Sequence, residues 1–154
     1  MDNSTEKAYL TALHFIKYRP RSEFEIRNKL KSKNFSEEEI NSVIQRLVQE
    51  GLINDEFFVK AWIRERFFNK RLGIHKIRQE LLGKGISKDL ISDILENEIN
   101  PADAIENAVE FLRYKFSKIT EVPDSEKLFQ VLLRKGYSCS EAREATKLFI
   151  AEKQ

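Results

Sequence analysis

Few side chains in this sequence combine a type and a spacing that could do chemistry. His14 and His75 are 61 positions apart and Cys139 is the lone cysteine, so no spacing offers the nitrogen and sulfur donors of a zinc site. All three are read as structural, His14 as a half-buried helix residue ahead of Phe15. There is no Walker-type glycine loop and no G-x-S-x-G nucleophile turn. Carboxylates are plentiful, with 25 Asp and Glu, but they fall on helix faces where nothing raises a pKa toward that of a general acid. No catalytic residue, metal ligand or cofactor is expected, which leaves binding.

Positive charge does cluster. Lys60, Arg64, Arg66, Lys70, Arg71, Lys76 and Arg78 are opposed only by Glu65, a net +6 across 19 residues. Lys60, Arg64 and Arg71 (i, i+4, i+11) share a face if one helix carries them all, with Arg64 and Arg71 outward. Lys17, Arg19, Arg21 and Arg27 form a parallel cluster. These two groups are the expected partner surface, suited to phosphates or to an acidic protein groove; the bland alternative is a solvated helix face. Phe57, Phe58, Trp62, Phe67 and Phe68 crowd the same segment. Base stacking is one use for such rings, but at helical spacing they read as core, with Trp62, one turn from Phe58, as central anchor.

The elements that must position these residues repeat. A shift of 51 superimposes Ile26/Ile77/Leu128, Leu30/Leu81/Leu132, Lys33/Lys84/Lys135, Phe35/Ile86/Tyr137 and Ser36/Ser87/Ser138. Two apolar residues four apart, then Lys, one further residue, an apolar residue and Ser, spell a helix end, a tight turn and a helix start. The fold class is all-α: three tandem three-helix, helix-turn-helix-like repeats over 1–53, 54–99 and 100–154, forming an elongated, curved rod. The helices are placed at 5–18, 22–33 and 36–50, then 54–70, 73–84 and 87–97, then 100–117, 124–135 and 138–152. Ser22 with Glu25 and Ser36 with Glu39 fit capping boxes, and Asn100-Pro101 fits an N-cap with proline at the first helical position. Gly51, Gly85, Gly136 and Asn34 stand where left-handed C-terminal caps belong. The core anchors are Ile26, Leu30, Phe58, Trp62, Ile77, Leu81, Leu128 and Leu132. The first helices obey the shift least, since Ala12, Ala61 and Ala108 align only with offsets of 49 and 47.

Composition narrows the partners. Hydrophobic residues make up 41% and charged residues 34%, the balance of a soluble helical protein. No apolar run approaches the ~20 residues of a membrane span. The start, Asp2-Asn3-Ser4-Thr5-Glu6, lacks a signal-peptide pattern, and a cytoplasmic monomer is expected. The net charge of only +2 is low for a protein that coats nucleic acid. Its distribution is uneven. The second helix of each repeat is net basic (+2, +2, +1) and the third net acidic (−3, −2, −1). Macrodipole preferences explain part of this, but ribbons of opposite sign also suit a nucleoprotein partner. A helix-turn-helix reader would need a basic third helix in the major groove. Phosphates would repel these, so only weak, sequence-independent DNA binding is left on that side.

Certain strings point further: Arg21-Ser22-Glu23 with Glu25-Ile26-Arg27 and Lys29-Leu30; Gly51-Leu52-Ile53-Asn54-Asp55 with Phe58; Lys70 with Gly73; Ile77-Arg78-Gln79-Glu80-Leu81 running into Lys84-Gly85-Ile86-Ser87; and Leu132-Leu133-Arg134-Lys135-Gly136-Tyr137. Across about positions 8–150 the chain resembles the RecX family of bacterial regulators of the RecA recombinase. The resemblance implies a non-enzymatic protein of DNA repair, homologous recombination and the SOS response. Such a protein binds in the groove of the RecA–single-strand DNA filament and inhibits or remodels it, restraining ATP hydrolysis, strand exchange or filament growth. The alternative is a sequence-nonspecific DNA-binding helical protein acting in DNA repair or transcription.

Overall fold

The computed structural model describes residues 2–154, and every regular element among them is helical. In order they are α1 (Asn3–Tyr18), α2 (Glu23–Ser32), α3 (Glu37–Gln49), α4 (Asp55–Ile63), α5 (Ile74–Gly83), α6 (Lys88–Glu98), α7 (Pro101–Lys115), α8 (Ser125–Lys135) and α9 (Cys139–Lys153). A π-helical turn, Arg64–Asn69, continues α4. Residues 117–123, read as irregular, lie between α7 and α8.

The helix starts are fixed by local chemistry. The Ser22 hydroxyl accepts from the Glu25 amide while the Glu25 carboxylate accepts from the Ser22 amide, and Ser36 and Glu39 do the same. Asn100 with Asp103 and Ser138 with Glu141 close two further capping boxes. Each reciprocal pair satisfies two of the amides that a first helical turn leaves without partners.

The helix ends carry the repeat into three dimensions. Asn34, Gly85 and Gly136 are left-handed, with φ of 69°, 78° and 105°. The following amide of Phe35, Ile86 or Tyr137 then donates to the carbonyl of Leu30, Leu81 or Leu132 at 3.1 to 3.2 Å. This is the wide bond that closes a helix around a left-handed cap. Asn tolerates that conformation better than other non-glycine residues do.

The helices fall into two compact units. The first is residues 1–59 with 81–90, and the second is 60–80 with 91–154. In the first, α1, α2 and α3 enclose Ala8, Ala12, Ile26, Leu30, Val43 and Leu47. In the second, α7, α8 and α9 enclose Ala108, Leu112, Leu128, Leu132, Ala145 and Phe149. Ile26, Leu30, Ile77, Leu81, Leu128 and Leu132 are all 0% exposed. Truncating any one of them to alanine costs about 2–5 kcal/mol, because the lost transfer energy is joined by a cavity.

Around α4 the structure departs from the sequence reading. Phe58 and Phe67 are buried, as is Ile63, but Trp62 is only half-buried, and Phe57 and Phe68 are exposed. Trp62 is therefore not the central anchor; its indole Nε1 donates to Glu80 at 3.2 Å, and the Arg66 guanidinium lies 4.6 Å from its ring. Trp62 precedes the π turn, and the buried stripe of α4 runs through Phe58, Val59 and Ile63 to Phe67, which leaves Trp62 at its border. His14 is exposed rather than half-buried, edge-on to Tyr18 at 5.2 Å.

Candidate interaction surface

In the first unit, α1 ends at Tyr18 and Pro20 prevents it from continuing. Arg19 and Arg21 flank that proline and converge on one carboxylate. Arg19 Nη2 lies 2.7 Å from Glu25 Oε2, Arg21 Nη1 3.9 Å and Lys84 Nζ 3.1 Å. Burial pushes the Glu25 carboxyl upward. Hydrogen bonds from Arg19, the Ser22 amide and Lys84 outweigh it and hold the group below its ordinary value. Arg21 also packs its guanidinium 3.8 Å over the Phe15 ring; burial first, and then the charge of Arg19, pulls its pKa down. One carboxylate under three cations leaves the cluster electropositive. Arg27 is engaged separately, with Glu23 at 3.1 Å and Asn41 at 2.8 Å. Lys17 is exposed.

These cations border a shallow depression of about 480 Å³, lined by Ile16, Lys17, Arg19, Pro20, Arg21, Leu52 and Phe57 among others. Phe57 and Leu52 are 61% and 40% exposed. A lining of exposed apolar side chains beside cations fits an acidic protein segment that carries an apolar side chain.

The second cluster is less uniform than its sequence suggests. Arg64 is 63% exposed and forks onto Glu98 at 3.3 Å. Arg66 meets Glu80 at 3.5 Å, and Arg78 donates to the Ser92 hydroxyl at 2.9 Å. Lys60 is half-buried, and Lys70 and Lys76 are exposed. Arg71 does not share a helical face with Lys60 and Arg64, because it lies beyond the π turn with a left-handed φ of 58°. It is half-buried rather than outward, and its guanidinium donates to Asn107 Oδ1 at 2.6 Å.

Arg71 belongs to a buried polar knot. Asn107, 3% exposed, donates to the Phe67 carbonyl at 2.8 Å and to the Tyr137 hydroxyl at 3.0 Å. Tyr137 in turn donates to the Arg71 carbonyl at 2.7 Å. The π turn and the left-handed residue after it loosen the backbone ladder, and this knot satisfies the carbonyls so exposed. Burial drives the Tyr137 phenol well above its ordinary pKa.

Two lysines outside the sequence-predicted clusters lie with Lys70 and Lys76. Lys135 places its Nζ 4.8 Å from the centre of the Phe111 ring. Burial first, then the charges of Lys76, Lys115 and Lys70, lowers its pKa. The signal in the sequence was the repeat itself, since Lys135 follows Lys33 and Lys84 at the same register.

Among the described residues no group of His, Cys, Asp and Glu is placed to hold a metal ion. No helix among them is long and apolar enough to cross a membrane.

The chain matches the RecX first three-helix domain over residues 8–47 and the RecX second three-helix domain over residues 54–95. It is 32% identical over 143 residues to a Chlorobium phaeobacteroides protein named regulatory protein RecX, covering 93% of each chain. A Haemophilus influenzae protein of the same name is 36% identical over 139 residues, covering 87% of this chain and 89% of that one. The crystal structure of RecX from Lactobacillus salivarius superimposes with a TM-score of 0.82 at 25% identity, over 98% of this chain and 99% of that one. The helical build, the caps that recur every 51 residues and these nearly end-to-end matches together place the chain in the RecX family of regulatory proteins.

Proposed function

We propose that this chain regulates the RecA recombinase: it binds in the groove of the RecA–single-strand DNA filament as a monomer in the cytoplasm, and inhibits or remodels that filament. The observation that carries this reading is the similarity over 93% of both chains to a protein named regulatory protein RecX. The electropositive depression of the first unit supports it, lined by Lys17, Arg19 and the exposed ring of Phe57. Such a surface suits an acidic protein face, and it works by occupancy rather than by chemistry. The test is the single-strand-DNA-dependent ATPase and the strand exchange of RecA with the purified chain added at stoichiometric amounts. Both rates fall if the reading is right, and unchanged rates overturn it.

A second reading, sequence-independent DNA binding, is favoured by one observation, the gathering of Lys70, Lys76, Lys115 and Lys135. A gel-shift series in which one duplex sequence wins would replace both readings with a helix-turn-helix regulator.

A further inference from the structure

The chain builds one joint twice, and the two copies differ in their pattern of charge. In the first unit the start of α2 meets the turn between α5 and α6. The Ser22 hydroxyl donates to the Lys84 carbonyl at 2.9 Å, and a Cβ on Gly85 would lie 2.4 Å from the Phe24 Cβ. In the second unit the start of α5 meets the turn between α8 and α9. The Gly73 amide donates to the Lys135 carbonyl at 2.9 Å, and a Cβ on Gly136 would lie 2.5 Å from the Lys76 Cβ. The pairs Ser22/Gly73 and Lys84/Lys135 are each separated by the 51-residue repeat.

The same shift carries Arg19 to Lys70 and Glu25 to Lys76. The first joint is therefore cation, carboxylate, cation, with Arg19 and Lys84 at 2.7 and 3.1 Å from Glu25. The second, made of Lys70, Lys76 and Lys135, has an ammonium where the carboxylate belongs, and Lys115 adds a fourth positive charge. Acidic groups on neighbouring elements are committed elsewhere: Glu65 to Asn69, Glu80 to Arg66 and Trp62, Glu110 to Arg113, and Glu141 to the cap of α9. Lys70, Lys115 and Lys135 stand at helix C-termini. The partial negative charge there eases their approach but supplies less than one full counter-charge.

An external anion is what this joint lacks. Lysines are point charges that accept phosphate in many orientations, unlike the planar fork of arginine that matches a carboxylate. Tyr114 is 82% exposed and follows Phe111 by three positions on α7, directly before Lys115. It offers a bare ring on which an unpaired base can stack. We propose that Lys70, Lys76, Lys115 and Lys135 bind the phosphodiester backbone of single-stranded nucleic acid, a phosphate taking the place that the Glu25 carboxylate fills in the sister joint, with Tyr114 stacking on a base.

The decisive substitution is Lys76→Glu, which rebuilds the first joint's charge pattern in the second. Fluorescence anisotropy with a labelled deoxythymidine oligonucleotide at low salt, without RecA, reads binding, and thermal unfolding reads the fold. The wild type should bind with an affinity that falls steeply with salt. Lys76→Glu should weaken binding at least about tenfold and lower the salt dependence, while raising the melting temperature through its new ion pairs. Lys115→Gln and Tyr114→Ala, both at exposed positions, should weaken binding several-fold without moving the melting temperature. Lys88→Glu, at an exposed position outside the four-lysine cluster, should stay within about twofold, as expected for one surface charge that is not part of the site.

Failure of the wild type to bind the oligonucleotide overturns the proposal, as does Lys76→Glu binding as tightly as the wild type. Patch variants that keep the oligonucleotide but lose their effect on RecA would assign the lysines to an acidic protein face, which also overturns it. Binding through the patch by a chain that leaves RecA unaffected would support this site and sink the proposed function instead.

Discussion

Gly73 and Gly136 meet backbone to backbone: a Cβ on Gly73 would lie 2.2 Å from the Gly136 carbonyl carbon and 2.3 Å from its oxygen. Main chain cannot swing aside as a side chain can, so Gly73→Ala must pry α5 from the turn between α8 and α9. The expected loss is about 2 kcal/mol or more in urea unfolding. Gly83, at the end of the same helix, has open space within 4 Å of where a Cβ would stand, and Gly83→Ala should be neutral or stabilise by up to about 1 kcal/mol. The reverse order would show that the close approach is not what holds α5.

Tyr137→Phe should destabilise by about 1–3 kcal/mol, because it leaves the Arg71 carbonyl and one Asn107 N–H without partners in a buried site. It should also change the alkaline limb of stability. Burial raises the folded phenol's pKa, so the unfolded tyrosine releases its proton first. That contribution is whole below the unfolded value of about 10 and is lost as pH rises beyond it. Melting curves between about pH 8 and about pH 11 should be flatter for Tyr137→Phe than for the wild type. Tyr9, whose hydrogen bond to Glu50 also raises its pKa, keeps some slope in both.

Glu25→Gln should cost about 1–2 kcal/mol, a value reduced for the partial exposure of the pairs, because Arg19, Arg21 and Lys84 lose their shared anion. The folded carboxyl titrates below its unfolded counterpart. Its stabilisation is thus complete above the unfolded value of about 4.3 and disappears as pH falls through the folded one. Acid unfolding of Glu25→Gln should lack that component, so the two stability curves converge as the pH drops.

Lys17→Glu combined with Arg64→Gln should leave the fold within about 1 kcal/mol of wild type, since Lys17 is exposed and the Arg64–Glu98 pair lies at the surface. If the chain restrains RecA, the concentration needed to halve its ATPase should rise about tenfold, with most of the change in association. Arg71 is unsuitable for this comparison, because its guanidinium holds Asn107, and Arg71→Glu would unsettle the knot.

Helix ends were legible in the sequence because their chemistry is local. Ser22 and Glu25 are three residues apart and satisfy each other's amides, and Gly85 and Gly136 mark the left-handed turns that follow α5 and α8. The repeat named its own core, since Leu30, Leu81 and Leu132 recur at one register and all lie fully buried. The π turn after Ile63 was hidden, because it is balanced by Asn107 and Tyr137, 40 and 70 positions beyond Phe67. Arg71 was misplaced for that reason, while Trp62, which precedes the turn, was misplaced because the buried stripe runs through Val59 and Ile63 instead. The repeat marks Lys135 in the sequence, but its approach to Lys70 and Lys76 was hidden: the hydrogen bond from Gly73 to Lys135 spans 62 positions, which charge counting in a window cannot see.

The paired joints hold by hydrogen bonds onto a main-chain carbonyl and by close glycine contacts, while one carries a carboxylate where the other carries an ammonium. Architecture and electrical character are thereby uncoupled. A single substitution at position 76 changes what the second joint attracts without touching the backbone contacts that hold it. Repeats that share one set of glycine contacts thus differ in the ligands they draw while keeping the same local backbone.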